Sequence, residues 1–116
     1  MSSVAGTINI ANDVLADLAG YAALESYGVV GMASPTVRDG VAQLLSKDKL
    51  RKGVKIGNDA EGSVTVDLYV VIEHGTQLVE VSHNLSERVR YVLTSMAEVR
   101  VSRVDVHVQD IRVRTP

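Results

Sequence analysis

Five cations fall within nine residues, at Lys47, Lys49, Arg51, Lys52 and Lys55, against a single acid, Asp48. A basic cluster of this density attracts phosphates and other anions in a salt-dependent manner. It is the strongest polar feature of the sequence and the candidate patch for an anionic partner, either nucleic acid or anionic lipid. No aromatic residue is interleaved with these cations, so the segment has no means of stacking on bases. The same residues also suit a solvated connector between two structured elements.

The histidines are the next candidates. Glu80, His83 and Glu87 sit at i, i+3 and i+7, on one face of a helix. Two carboxylates and an imidazole can hold a divalent metal in principle. Three ligands on a wet helix face with no fourth make a poor site, and a solvated face is the ordinary reading. His74 follows Glu73 at the end of a strand pattern, where a His–Glu pair could exchange protons. No Ser or Thr nucleophile pattern accompanies it. His107 shares strand parity with Asp105 and Gln109, on a face expected to meet solvent. Gly28-Val29-Val30-Gly31 has the G-x-x-G form of an RNA-clamping loop, but its central residues are both Val and it runs straight into a strand. Gly53 to Gly57 lacks the lysine and following helix of a phosphate loop. The expectation is therefore no catalytic residue, no metal and no cofactor.

Composition sharpens these exclusions. The chain has 116 residues, 46% of them hydrophobic, a net charge of -2 and no Cys, Trp or Phe. Without Cys there are no disulfides, thiolate zinc sites or thiol nucleophiles. The N-terminus has neither the basic region nor the apolar core of a signal peptide, and the longest apolar runs fall well short of the ~20 residues needed to span a bilayer. A cytoplasmic protein is the simplest expectation, with any membrane role requiring an anchored partner. Charge is segregated along the chain: residues 1–46 carry -3, 47–55 carry +4, 56–87 carry -6 and 88–116 carry +3. Such blocks pair with one another or dock a charged partner.

These residues are positioned by a recognisable series of elements. Thr7 to Ile10 reads as a first strand. Asn12 and Asp13 then signal a helix start, with Val14, Leu15, Leu18, Tyr21 and Ala22 on one face and an Ala-rich run suited to close packing on a sheet. Gly28 stops the helix. Val29 to Ala33 reads as a second strand. From Thr36, the residues Val37, Val41 and Leu44 or Leu45 suggest a short amphipathic helix, which Lys47 to Lys52 continues or follows as a connector. Gly53 to Gly57 is a short strand, and Asn58 to Gly62 a turn.

Val64, Val66, Leu68, Val70 and Ile72 then alternate without fault with Thr65, Asp67, Tyr69 and Glu73. Period 2 marks a strand with one buried face; Tyr69 and Val71 suggest partial cover on the other. Leu78, Val81, Leu85, Val89, Val92 and Met96 form the stripe of a long helix. The final segment is Val-rich, and its parity changes between Val108 and Ile111, which predicts a bulge or bend near Gln109 and Asp110. The order β-α-β-(short α)-β-β-α-β predicts an α+β fold: a two-layer α/β sandwich on a mostly antiparallel sheet.

Taken in order, Gly6-Thr7-Ile8-Asn9-Ile10, Val14 with Leu18-Ala19 and Ala22-Ala23, and Gly28-Val29 with Gly31-Met32 resemble the opening of the alkaline shock protein family of Gram-positive bacteria, an envelope stress response family. The resemblance continues through Gly53-Val54, the strand Val64 to Ile72, Gly75, and Val104-Asp105-Val106-His107-Val108. It implies a single alkaline-shock-protein-like domain over residues 6–113, with 1–5 and 114–116 as short flexible termini. It further implies a non-enzymatic interaction or scaffold protein in cell-envelope homeostasis and stress response that forms homo-oligomers. A membrane-anchored protein is one implied partner. The chain resembles the short form without long charged tails, for which a fatty-acid-kinase-related neighbour is another. The family supplies no catalytic or cofactor residues to carry over. Where its members often have Ser before the first helix this chain has Ala11, so capping is expected from Asn9 or Asn12. The alternative reading is a nucleic-acid- or anionic-lipid-binding module using residues 47–55; nucleic acid is the less favoured partner because the chain is acidic overall and aromatic-poor.

Overall fold

A computed structural model describes residues 11–113. The expected first strand, Thr7 to Ile10, and the expected termini 1–5 and 114–116 lie outside those residues. The elements are α1 (Asn12–Leu24), β1 (Val29–Met32), a 3-10 helix (Lys47–Gly53), β2 (Val54–Asn58), β3 (Val64–Glu73), α2 (Leu78–Met96) and β4 (Val101–Arg112). The α+β class expected from the sequence is what is found.

β3 organises the sheet because its alternation buries Val64, Val66, Leu68, Val70 and Ile72 on one side. A strand has two edges. One is taken along its whole length by β4, parallel, from Val64 opposite Val101 to Glu73 opposite Arg112. The other is shared: β2 pairs antiparallel with Val64 to Leu68, and β1 pairs antiparallel with Val70 to Ile72. The parallel neighbour is reached through α2, the crossover that parallel strands require. β4 has 12 residues against 10 in β3, and two bulges absorb the excess. One falls at Gln109, between the Val70–Val108 and Val71–Asp110 pairs, where the parity change predicts it. The other falls at Ser102. Its signal is the three-residue step from Val101 to Val104.

Both helices pack on the even-numbered face of β3. Val81, Leu85, Val89 and Leu93 of α2 join Val66, Leu68, Val70 and Ile72 in the main core. Each such side chain contributes roughly 1.5–3 kcal/mol by leaving water. The buried stripe of α2 rotates away from the expected one at its ends: Leu93 is buried, whereas Leu78 and Met96 are exposed. α1 buries a small-residue face, Leu15, Ala16, Ala19, Gly20, Ala22 and Ala23, while Val14 and Tyr21 are about half exposed, at 49% and 53%. The small face wins because it lets the helix come close to its neighbours. A Cβ on Gly20 would already stand 3.0 Å from the Leu50 Cβ.

Among the described residues no side chain caps α1. Asn12 is its first helical residue, and Ala11 occupies the N-cap position without a side-chain bond. Asn9 lies outside the described residues. At the other end α1 stops at Leu24, with Glu25 as its C-cap, earlier than the expected stop at Gly28. Gly28 instead sits in the turn into β1 with φ +85°, a conformation glycine adopts at little cost, and a Cβ there would lie 2.7 Å from Val81 Cγ2. Turn geometry and the approach of α2 both require glycine.

The segment expected to be a short helix from Thr36 to Leu45 is instead a hairpin. Ala33 bridges Leu44 and Arg38 bridges Val41, with positive φ at Asp39 and Gly40, +54° and +72°. These are the two central residues of a type I′ turn, for which Asp-Gly is a preferred pair. The short helix comes later, as the 3-10 helix of the basic segment. The hairpin covers part of the sheet's outer face, where Ala33 and Ala42 enclose Val71, with Val30 packed against them.

Candidate functional site

The structure disperses the five candidate cations. Arg51 turns back onto α1, with Nη1 3.0 Å from Asp13 and Nη2 2.7 Å from Asp17. Lys55 rises from β2 onto the outer face of the sheet, its Nζ 5.6 Å from the Tyr69 ring centroid. Lys49 and Lys52 line an open cleft of about 360 Å³ together with Ser34, Gln43, Leu44, Leu45 and Ser46. Lys47 is exposed at the start of the 3-10 helix. Lys47, Lys49 and Lys52 make no ion pair among the described residues. Asp48 beside them accepts a hydrogen bond of 2.6 Å from the Ser46 hydroxyl. That bond, helped by Lys49 and Lys52, holds its carboxyl below the usual range.

A second polar arrangement lies on the outer face of the sheet. The β3–β4 register sets Asp67 opposite Asp105 and Tyr69 opposite His107. His107 Nε2 is 2.9 Å from Asp67 Oδ1, and its ring stacks on Tyr69 at 4.6 Å between centroids and 12° between planes. Arg103 donates to Asp105 and, at 3.4 Å, to Asp67. The His107 hydrogen bond, with the Arg103 charge, keeps the Asp67 carboxyl below its ordinary value. His107 is thus a half-buried, partnered residue rather than a plainly solvent-facing one. Parity places these residues on one side of their strands; only the register brings them together. The group is a ladder in which Asp67, Arg103, Asp105 and His107 are joined by hydrogen bonds and Tyr69 stacks on His107.

The remaining candidates stay apart. Glu80, His83 and Glu87 are exposed on α2, and His74 is exposed in the turn after β3. Among the described residues no three of His, Asp and Glu are placed to hold a metal ion. Gly28 to Gly31 forms the end of a turn and the start of β1, with no loop to clamp a phosphate.

The other exposed feature is the outer edge of β4. Among the described residues no strand pairs with it. Val108 and Ile111 near its C-terminal end, and Val113 just beyond it, are exposed. Arg112 turns back from this edge: its Nε donates to Asp110 at 3.0 Å and its Nη2 to the Ala42 carbonyl. Gln109, at the bulge, donates to the carbonyls of Ser34 at 3.2 Å and Pro35 at 3.0 Å. Both side chains therefore tie β4 to the hairpin and leave its edge uncovered.

Residues 1–113 match the family model for Asp-23, the alkaline shock protein, described as having a cell envelope-related function. The chain belongs to this family. It is 37% identical to the uncharacterised protein YloU of Bacillus subtilis over 112 residues, covering 96% of this chain and 92% of YloU. It is 39% identical to the uncharacterised protein Spy1614 of Streptococcus pyogenes over 109 residues, covering 93% of this chain and 89% of that protein. The family resemblance seen in the sequence is thereby established, and with it relatives in Gram-positive bacteria. Among solved structures, the MamM CTD in a nickel form aligns with a TM-score of 0.48 at 13% identity, over 89% of this chain and 99% of that one; a likeness at this level carries no functional argument. Among the described residues no helix is long and apolar enough to cross a membrane.

Proposed function

We propose that this alkaline shock protein family member is a non-enzymatic interaction module of cell-envelope homeostasis, working through protein–protein contacts and self-association. The observation that carries the reading is the outer edge of β4. A 12-residue strand presents backbone N–H and C=O groups with no partner strand among the described residues, next to exposed Val108 and Ile111. An open edge of this length is a template for adding another strand, and a second copy of the chain supplies one. The reading is supported further by the polar groups of the outer sheet face, which are engaged with one another rather than converging on a cavity. A membrane-anchored protein of the envelope is the second partner this reading assigns, and the stress response its setting.

Two differently tagged copies expressed together test the proposal. One copy carries the other through purification, and Val108→Lys with Ile111→Lys in both copies abolishes this while leaving the far-ultraviolet spectrum unchanged. If the doubly substituted copies still purify together, the β4 edge is not the contact.

A further inference from the structure

We propose that the cleft between the 33–44 hairpin and the 3-10 helix is a docking surface for an anionic lipid membrane. Lys49, Lys52 and Lys47 would meet headgroup phosphates there, and Leu44 with Val41 the acyl boundary. This inference goes beyond the self-association proposed above and does not depend on it.

Three observations carry it. The first is the charge that remains after internal pairing. Arg51, Arg88, Arg103 and Arg112 are each held by a carboxylate, whereas Lys47, Lys49 and Lys52 make no ion pair among the described residues. Lys49, at a kink in the 3-10 segment, and Lys52 both line the cleft. Asp48 offsets one charge. Arg38 and Asp39 at the hairpin turn add none, so the local excess is positive on a chain of net charge -2.

The second is apolar exposure on the same element. Leu44 lines the cleft with the lysines and is 44% exposed; Val41, further out on the same hairpin arm, is 54% exposed, and Val37 near the turn is exposed too. Aliphatic side chains beside unpaired cations are what an interfacial anchor needs: the apolar groups enter the headgroup boundary while the cations are drawn to anionic lipid. The third is the setting. The family is described as having a cell envelope-related function, and this surface has the chemistry for direct contact with a membrane. RNA is the other polyanion that could occupy such a patch. The side chains beside the lysines are aliphatic, however, and no tyrosine lines the cleft, which removes the stacking that single-stranded nucleic acid uses.

The test is co-sedimentation of the full chain with vesicles of phosphatidylglycerol and phosphatidylcholine, and with phosphatidylcholine alone, at low and high salt. Binding is expected to the anionic vesicles only and to weaken with salt. Each cation near an anionic surface is worth about five-fold in binding, so Lys47→Gln with Lys49→Gln and Lys52→Gln should weaken it on the order of a hundred-fold. Val41→Ser with Leu44→Ser should weaken it while leaving its salt dependence intact. Arg51→Gln, at the cation already held by α1, should leave it unchanged. All these side chains are largely exposed, and circular dichroism verifies that each variant is folded. No sedimentation with anionic vesicles at low salt, equal binding to neutral vesicles, or undiminished binding by the triple variant would each overturn the proposal. So would single-stranded RNA being bound where vesicles are not.

Discussion

At the scale of single residues, Asp67 is the group with the most at stake on the outer sheet face. It accepts from His107 and Arg103, and its pKa is lowered as a result. A carboxylate with a folded-state pKa below its unfolded value contributes stability above the unfolded value, near ~3.9, and loses it as the pH falls through the folded value. Asp67→Asn should therefore lower the denaturant-derived stability at pH 7 by about 0.5–1 kcal/mol, and the gap from wild type should close as the pH is taken below ~4. A gap of constant size across that range would contradict the pairing. The residues of this ladder were legible by parity: Asp67 and Tyr69 fall on the polar side of one strand, Asp105 and His107 on the polar side of another. Their meeting was not legible, because it depends on β4 lying parallel to β3 and on the bulge at Ser102 that sets the register. The basic segment teaches the converse. Lys47 to Lys55 are neighbours in sequence, yet Arg51 is captured by Asp13 and Asp17 of α1 and Lys55 points to Tyr69, so chain proximity overstated the patch.

At the scale of elements, the start of α1 and the turn between α1 and β1 make opposite predictions. Ala11 sits at the N-cap with extended backbone, φ -60° and ψ 142°, and offers no side-chain acceptor. Ala11→Ser supplies one and should stabilise the fold by about 1 kcal/mol, seen as a raised denaturation midpoint with unchanged slope. Gly28→Ala should do the reverse. It forces a Cβ onto φ +85° and against Val81, and should cost more than about 1 kcal/mol; a neutral effect on the midpoint would show that α2 is free to move away there. Long strongly patterned elements such as β3 and α2 were readable because their periodicities run unbroken. The hairpin was misread as a helix because Val37, Val41 and Leu44 happen to fit helical spacing, while the Asp39-Gly40 turn signal carries the local backbone. On α1 the bulkier apolar stripe lost to the small one, since closeness to Leu50 and the sheet governs which face turns inward.

At the scale of the whole molecule, α1 and α2 cover one face of the sheet, the hairpin covers part of the other, and β1 with β2 occupy one edge of β3. That division leaves the outer side of β4 uncovered among the described residues. The parallel β3–β4 pair was the least legible part of the architecture: alternation shows which face of a strand is buried but not which strand lies beside it or in which direction. The same pairing creates the edge on which the proposed function depends, so self-association is the property to measure. Sedimentation velocity of the purified chain over a range of concentrations tests it most directly. Self-association through the β4 edge gives a species heavier than the 12.4 kDa chain that dissociates on dilution and is lost in the Val108→Lys, Ile111→Lys variant. A single 12.4 kDa species at every concentration would contradict it.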